Sequence, residues 1–405
     1  MAKKFGRKVR RSKSIYKRRK GSLRRFTEIA AMVVIVAGLG FVGWTAGKAI
    51  RDFFQQENEE QLPVDNGQLP INEPDNADEP DIEENPQTDD LPTVAAGFNA
   101  VNAPSSVLDN STSLAAYIQQ AKNNAFDAIV LEMKDSVGHL FYASDYEPVK
   151  NSEIMRGSLT AAQIYDAFEG TGVKPIVRIN TLLDRLSPAV LEDVSYVFAS
   201  GGGWLDNRIE SGGKRWANPF LQGTRDYHAF IINELAEAGF TDIILANVIF
   251  PEFRAYDLGV LASEYTNAST RHEGLAGFVS ALSQNTSGVR FILEMTLVDV
   301  VENYAGFNNS AEILRARRTI SDFELLLIYN RDDFGAEYKT GESSSVMLPA
   351  NDMSALMNLL FKQAGNQASG FGIIPGLNRE NLTDREIADI LKTFGELEFD
   401  SFVIR

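Results

Sequence analysis

Short apolar runs alternate with segments of helical periodicity along the chain from Thr93 to Arg405. The runs predict eight strands, at residues 93–98, 126–133, 174–180, 241–249, 289–296, 322–329, 371–375 and 400–404. The intervening periodicity predicts helices near 113–124, 158–169, 188–199, 224–238, 271–284, 310–319, 352–364 and 383–395. Eight strands separated by helices over about 310 residues indicate an α/β fold, specifically a (β/α)8 TIM barrel. A doubly wound open sheet is the alternative, but no phosphate-binding loop supports it.

The first 92 residues lack this alternation and divide by charge. Residues 1–28 hold thirteen Lys or Arg and one Glu, whereas residues 51–92 hold fourteen Asp or Glu and one Arg. The few aromatic residues and repeated prolines of residues 51–92 predict a disordered acidic linker. Residues 93–405 carry 24 basic and 40 acidic residues. This balance argues against a nucleic-acid partner, because phosphate binding needs clustered cations.

Residues 29–50 contain a charge-free run of nineteen residues from Ile29 to Gly47. As a helix this run is roughly 28 Å long, about the thickness of one hydrocarbon core, so it predicts a transmembrane helix. The basic residues before it predict a cytoplasmic N-terminal tail, a single pass through the cell membrane and an extracellular C-terminal domain at 93–405. A cleaved signal peptide is the alternative. Gly43 and Gly47 form a G-x-x-x-G pattern, which can pack two such helices into a weak homodimer.

The composition excludes several kinds of chemistry. The chain has no cysteine, which excludes disulfides, thiolate metal sites and thiol nucleophiles. The three histidines, His139, His228 and His272, do not have the spacing of metal ligands, and no G-x-S-x-G pattern accompanies them. We therefore expect no metal and no cofactor.

Candidate chemistry lies where the predicted strands end, because the active sites of such barrels lie at the carboxyl ends of the strands. Glu132 and Glu294 occupy inward-facing positions near two of these ends, and Asp135 opens the loop after the first of them. Each is a candidate catalytic acid or base. Arg178 either holds a substrate oxygen or pairs with Glu132, in which case the charges form a structural ion-pair network.

Three further residues are candidates for substrate binding beside Arg178. Trp216 lies near the predicted barrel mouth and offers a ring face on which a sugar can stack, although it could equally pack the loop. Asn247 lies in the fourth predicted strand, and Tyr329 ends the sixth before a polar run. We expect these side chains to contact a substrate at the mouth of the barrel.

The sequence GFTDIILANVIFP, at residues 239–251, resembles a strand of a glycoside-hydrolase-like TIM-barrel family. The family is a domain of unknown function in which this strand ends Asp-Tyr-Ile-Arg-Phe-Pro. The segments LEMKDSVGHLFY, KPIVRINTLLD and WANPF resemble other parts of the same family. The resemblance covers roughly residues 93–380. It implies a TIM-barrel domain that acts on a cell-surface or cell-wall polysaccharide.

The chain departs from the family at the position of the fourth-strand acid, which is Ala246 here. Glycosidases use two carboxyl groups, one as an acid and the other as a base or nucleophile. One hypothesis is a membrane-anchored glycoside hydrolase whose carboxylate pair is rebuilt from Glu132, Asp135, Glu252 or Glu294. The other is a catalytically degenerate barrel that binds glycan or organises an envelope complex.

Overall fold

The computed structural model describes residues 97–302, 307–334 and 352–405, together with the backbone of a hairpin formed by residues 337–341 and 344–347. Four predictions lie outside the described residues: the cytoplasmic tail, the transmembrane helix, the acidic linker, and the homodimer contact through Gly43 and Gly47. Within these ranges, no helix is both long enough and apolar enough to cross a membrane.

Eight parallel strands form a closed barrel, in the spatial order β1-β2-β3-β4-β5-β6-β9-β10 with β10 paired to β1. This closure confirms the predicted barrel and excludes the open sheet. The barrel strands are β1 (Asn99–Ala103), β2 (Ala128–Lys134), β3 (Lys174–Asn180), β4 (Asp242–Ala246), β5 (Arg290–Thr296), β6 (Glu324–Tyr329), β9 (Ile373–Leu377) and β10 (Phe402–Ile404). The apolar pattern does not predict the antiparallel hairpin of β7 (Glu337–Gly341) and β8 (Ser344–Met347).

The first strand begins later than the apolar pattern predicts. The pattern places it at 93–98, but the described strand begins at Asn99. The backbone N–H of Asn99 donates to Asp127 Oδ1 at 2.7 Å, and the strand is hydrogen-bonded on both sides, to β10 and to β2. Asn99 and Asn102 interrupt the apolar run, so pairing on both edges, and not hydrophobicity, defines this strand.

The helices mostly follow the predicted positions. They are α1 (Ser111–Asn123), α2 (Ala161–Asp166), α3 (Ser187–Val190), α4 (Gln222–Glu237), α5 (Ser263–Thr266), α6 (Arg271–Gln284), α7 (Leu297–Glu302), α8 (Met353–Gln367) and α9 (Asp384–Glu396). Short 3-10 segments are Ser105–Asp109, Glu147–Val149, Ile209–Ser211, Asp257–Gly259, Glu312–Ala316 and Arg331–Asp333. The prediction of a helix over 188–199 is wrong beyond Val190. The following residues pair with the returning half of their own loop, through a bridge between Ser195 and Ala217.

Aliphatic side chains fill most of the barrel interior. The interior cluster consists of Phe98, Ala100, Ala128, Val130, Ile176, Ile244, Ile292, Leu326, Ile328, Ile374 and Val403. At Gly376 on β9, an added Cβ would lie 2.3 Å from Ile328 Cδ1, so a larger residue here would require the Ile328 side chain to move. Towards the carboxyl ends of the strands the filling becomes charged, with Glu132, Arg178 and Glu294 in contact. This change of filling marks the candidate site.

Candidate functional site

Inward-facing side chains from β2, β3 and β5 form one ionic cluster. Arg178 donates from Nε and Nη2 to the two carboxylate oxygens of Glu294, each at 2.6 Å, and from Nη1 to Glu132. Arg405, which follows β10, donates from Nη1 to Glu294 at 2.9 Å. We call these four residues the charge cluster. Because it contains two acids and two guanidinium groups, its formal charges cancel.

The charge cluster is largely shielded from water. The side chains of Arg178 and Glu294 are 5% and 11% exposed, and that of Glu132 is 30% exposed. Burial raises the pKa of Glu294, but the charges and hydrogen bonds of Arg178 and Arg405 outweigh burial and lower that pKa to about 2. Burial likewise lowers the pKa of Arg178, but Glu294 and Glu132 outweigh it and raise that pKa. Glu294 is therefore ionised at neutral pH.

Glu294 should make the stability of the barrel sensitive to acid. Its pKa falls from an ordinary 4.5 to about 2 on folding, so its contribution is present above pH 4.5 and is lost as the pH falls towards 2. Between about pH 6 and pH 3, we expect the wild type to lose on the order of 2 kcal/mol more unfolding free energy than Glu294→Gln. Urea unfolding across this range measures both proteins. Parallel pH curves would contradict the lowered pKa assigned to Glu294.

An open cavity of about 650 Å³ lies beside the charge cluster, at the carboxyl ends of β4, β5, β6, β9 and β10. We call it the mouth cavity. Polar side chains provide most of its lining, namely Asn247, Glu294, Thr296, Asp299, Asn308, Ser310, Asn330, Asp333, Asn378 and Arg405. The apolar part of the lining consists of Ile249, Met295, Val298 and Ile328. In (β/α)8 barrels, ligands bind at this face.

Residues 100–313 match the model of one protein family, DUF4015, described as "Putative glycosyl hydrolase domain". The match covers more than half of the chain, from β1 to the 3-10 segment after β5. The chain belongs to this family. No curated protein matches the chain significantly.

Solved structures share the fold of this DUF4015 member. The glycoside hydrolase domain of PgaB (BpsB) from Bordetella bronchiseptica is 14% identical, covers 76% of this chain and 93% of its own, and has a TM-score of 0.51. A hypothetical protein from Ruminiclostridium thermocellum is 19% identical over 48% of this chain and 96% of its own, with a TM-score of 0.41. The β-amylase catalytic domain from Paenibacillus polymyxa is 12% identical over 77% of this chain and 93% of its own, with a TM-score of 0.48. The likeness to the PgaB domain shows a common fold.

The fourth strand ends in Ala246 and brings the amide of Asn247 to the mouth cavity. Ala246, where the sequence resemblance places an acid, is fully buried at the end of β4. Asn247 follows with a φ of 54°, a left-handed conformation that asparagine tolerates better than most residues. Its side chain donates to Asn180 Oδ1 and lines the cavity.

Of the sequence-predicted site residues, only Asn247 and Glu294 line the mouth cavity; the others, Glu132, Asp135, Arg178, Trp216 and Tyr329, do not. Asp135 Oδ1 accepts hydrogen bonds from the backbone N–H groups of residues 137–139 at 2.9, 2.8 and 2.8 Å. Its carboxylate is therefore engaged in shaping the loop after β2. Tyr329 is fully buried, with its ring stacked 5.5 Å from that of Phe334. Burial keeps this phenol away from a ligand in the cavity.

Trp216 lies in a different cavity of about 560 Å³, which we call the loop cavity. Its indole Nε1 donates to Asp206 Oδ2 at 3.0 Å. The residue is only 7% exposed, so it forms a wall and does not present an open ring face for stacking. The sequence pattern identified the position of Trp216 near the barrel mouth, but the loop determines which part of the ring is accessible.

The sequence gives little indication that two charged residues, Arg405 and Asp299, line the mouth cavity. Arg405 occupies the inward position two residues after Val403, and this alternation alone could have indicated it. Asp299 lies in α7, where its carboxylate accepts from the backbone N–H and Oγ of Ser310 at 2.8 and 2.7 Å. Within the described ranges, no group of three or more His, Asp or Glu side chains could hold a metal ion.

Proposed function

We propose that this domain binds a polysaccharide chain in the mouth cavity and does not hydrolyse it with Glu132 and Glu294. The observation that carries the proposal is the engagement of Glu294 by both Arg178 and Arg405 at the wall of an open, polar cavity. The charge cluster supplies fixed charge at this wall, and the rest of the lining supplies hydrogen-bonding groups.

Hydrolysis of a glycosidic bond needs a carboxylic acid that keeps its proton at working pH, and this requires a raised pKa. Glu294 has the opposite property, because its pKa is about 2. Glu132 binds the same guanidinium group as Glu294, and the family's acid position is Ala246. The charge cluster therefore suits the orientation of a ligand better than proton transfer.

The lining of the mouth cavity suits sugar hydroxyls. Amide side chains such as Asn330 and Asn378 both donate and accept hydrogen bonds, whereas carboxylates such as Asp333 only accept them. Ile249 and Ile328 add apolar surface of the kind that contacts the C–H groups of a sugar ring. Membership of a glycosyl hydrolase family supports a carbohydrate over other polar ligands.

The location that we propose is the outer face of the cell membrane, with cell-surface or cell-wall polysaccharide as the ligand. The support for this location is the apolar run from Ile29 to Gly47 and the basic residues before it. The acidic segment 51–92 would then space the domain from the membrane, with a reach of at least about 35 Å.

A second candidate function is hydrolysis in which Glu294 acts as the nucleophile or base. The observation in its favour is that Glu294 is ionised and lines an open cavity, as either role requires. The proton donor would then come from elsewhere in the mouth cavity, where Asp299 and Asp333 are the other described carboxyl groups.

One experiment separates the two functions. The full chain is mixed with insoluble cell-wall polysaccharide, co-sedimentation measures binding, and an assay of reducing ends measures hydrolysis. We expect binding without release of reducing ends, and an affinity about tenfold lower for Asn330→Ala, which removes an amide from the lining. Asn358→Ala, on the exposed face of α8, is the matched control and should bind like the wild type. Release of reducing ends that Glu294→Gln abolishes would establish hydrolysis in its place.

A further inference from the structure

The mouth cavity and the loop cavity share one lining residue, Asn308. We infer that the two cavities form one extended cleft, which takes a linear, uncharged oligosaccharide longer than either cavity alone can hold. This inference rests on the proposed glycan binding. It adds a second binding region and specifies the length and charge of the ligand.

The arrangement of the strands places the two cavities side by side. The loop cavity is built by the loop after β3, at residues 206–216, and by the loop after β4, at residues 252–254. The mouth cavity begins at the ends of β4 and β5. Because β3, β4 and β5 are consecutive neighbours in the barrel, their carboxyl-end loops adjoin. Asn308 follows β5 and α7 in the chain, and a ligand that passes it leaves one cavity and enters the other.

The walls of the loop cavity are held in place by internal hydrogen bonds. Asp206 accepts from Trp216 Nε1 at 3.0 Å and from the backbone N–H of Lys214 at 2.7 Å. Arg254 donates from Nε to the buried Asp257 at 2.7 Å, and from Nη2 to the carbonyl oxygen of Leu205 at 2.9 Å. These bonds join the loops after β3 and β4. The cavity is therefore formed before a ligand arrives, which lowers the entropic cost of binding.

Two exposed polar side chains of the loop cavity are available to a ligand. In the part of the chain that the structure describes, no group hydrogen-bonds to the side chain of Glu252 or of Asn308. The carboxylate of Glu252 can accept from a sugar hydroxyl, and the amide of Asn308 can both donate and accept. Asn308 has a φ of 55°, which fixes its backbone in the left-handed region at the junction.

Size and charge indicate the class of ligand. The cavities measure about 650 and 560 Å³, and each alone is the size of a complete small-molecule pocket. A disaccharide would therefore occupy only part of the joined cleft. In the loop cavity, Asp206 and Glu252 balance Lys214 and Arg254, so the formal charges of these groups cancel. The mouth cavity has three carboxylates and one guanidinium group, so neither lining has the excess of cations that an anionic chain would need. An uncharged chain of several sugar units fits both properties.

The test compares short and long ligands on the full chain by isothermal titration calorimetry. The probes are the dimers and hexamers of glucose, N-acetylglucosamine, galactose and mannose. We expect the best hexamer to bind at least about tenfold more tightly than its dimer. Asn308→Gly keeps the left-handed backbone but removes the amide, and Glu252→Ala removes the carboxylate. Each should weaken hexamer binding about threefold to tenfold. Glu252 lines only the loop cavity, so Glu252→Ala should leave dimer binding in the mouth cavity unchanged.

Asn381→Gly is the matched control, because Asn381 also has a left-handed backbone, with a φ of 62°, but lines neither cavity. It should bind both probes as the wild type does. Equal affinity for dimer and hexamer would overturn the extended cleft and leave the proposed glycan binding intact. Equal weakening of both lengths by Glu252→Ala would also overturn it. If no dimer or hexamer binds, the proposed function and this inference both fail for uncharged glycans.

Discussion

Replacing Arg178 with methionine should lower the free energy of unfolding by about 3–5 kcal/mol at neutral pH. Arg178 is the common partner of Glu132 and Glu294 inside the barrel. Methionine fills a similar volume, but it leaves Glu294 with Arg405 as its remaining described cationic partner. The cost is large because a charge that is 11% exposed cannot regain the water that it lost on folding. Urea unfolding at neutral pH measures the difference.

The matched control for Arg178→Met is Arg385→Met. Arg385 pairs with Asp389 at 3.9 Å on the surface, and its side chain is 92% exposed. We expect its loss to change stability by less than about 0.5 kcal/mol. The loss of unfolding free energy in Arg178→Lys should lie between those of Arg178→Met and Arg385→Met. One ammonium group cannot bind both oxygens of Glu294 in the geometry of a guanidinium group. Equal stability of Arg178→Met and the wild type would show that the charge cluster does not hold the barrel together.

Alternation within strands correctly predicts which central residues of the candidate site face the barrel interior. Side chains of a strand point alternately to its two faces, and a closed barrel makes one of those faces the interior. For this reason Glu132, Arg178 and Glu294 could be assigned to the interior from β2, β3 and β5 alone. The sequence left open whether Arg178 pairs with Glu132 or holds a ligand, and the structure shows it bound to both glutamates.

Contacts between residues distant in sequence decide the parts that could not be predicted. Arg405 reaches Glu294 across 111 residues, so no local pattern relates them. The loop after α3 has a helical pattern over 188–199, but pairing with its returning half replaces the helix. The position of Asn308 between the two cavities likewise depends on the loops after β3, β4 and β5. These loops adjoin because their strands are neighbours in the closed barrel, which no local sequence pattern shows.

A second ion pair, between Lys134 and Asp184, ties the end of β2 to the loop after β3. The two side chains have no exposed surface, and Nζ lies 2.7 Å from Oδ2. Lys134 also donates to the carbonyl oxygen of Asn180 at 2.7 Å, and Asp184 accepts from Ser187 Oγ at 2.7 Å. Burial raises the pKa of Asp184, but the charge and hydrogen bond of Lys134 outweigh burial and lower it.

Lys134→Met should therefore destabilise the domain by about 3–5 kcal/mol, because it leaves a fully buried carboxylate without its cation. The double variant Lys134→Met, Asp184→Asn should recover a large part of this loss, since the amide oxygen can still accept from Ser187 and no charge remains. Lys392→Met is the surface control, because Lys392 is 74% exposed in its pair with Glu396 and should contribute little. Urea unfolding of the wild type, Lys134→Met, Asp184→Asn and the double variant gives the coupling between Lys134 and Asp184.

The pH dependence of Lys134→Met gives an independent check on the cause. Without Lys134, we expect burial to outweigh the remaining hydrogen bonds from Ser187 and to raise the pKa of Asp184 above its unfolded value of 3.8. A carboxyl group with a raised pKa destabilises the folded state only at a pH high enough to ionise it. The loss of unfolding free energy in Lys134→Met should therefore shrink in acid. The double variant has asparagine in place of Asp184, so its own unfolding free energy should not change with pH through titration at this position. A pH-independent deficit in Lys134→Met would show that lost packing, and not an unpaired charge, causes its instability.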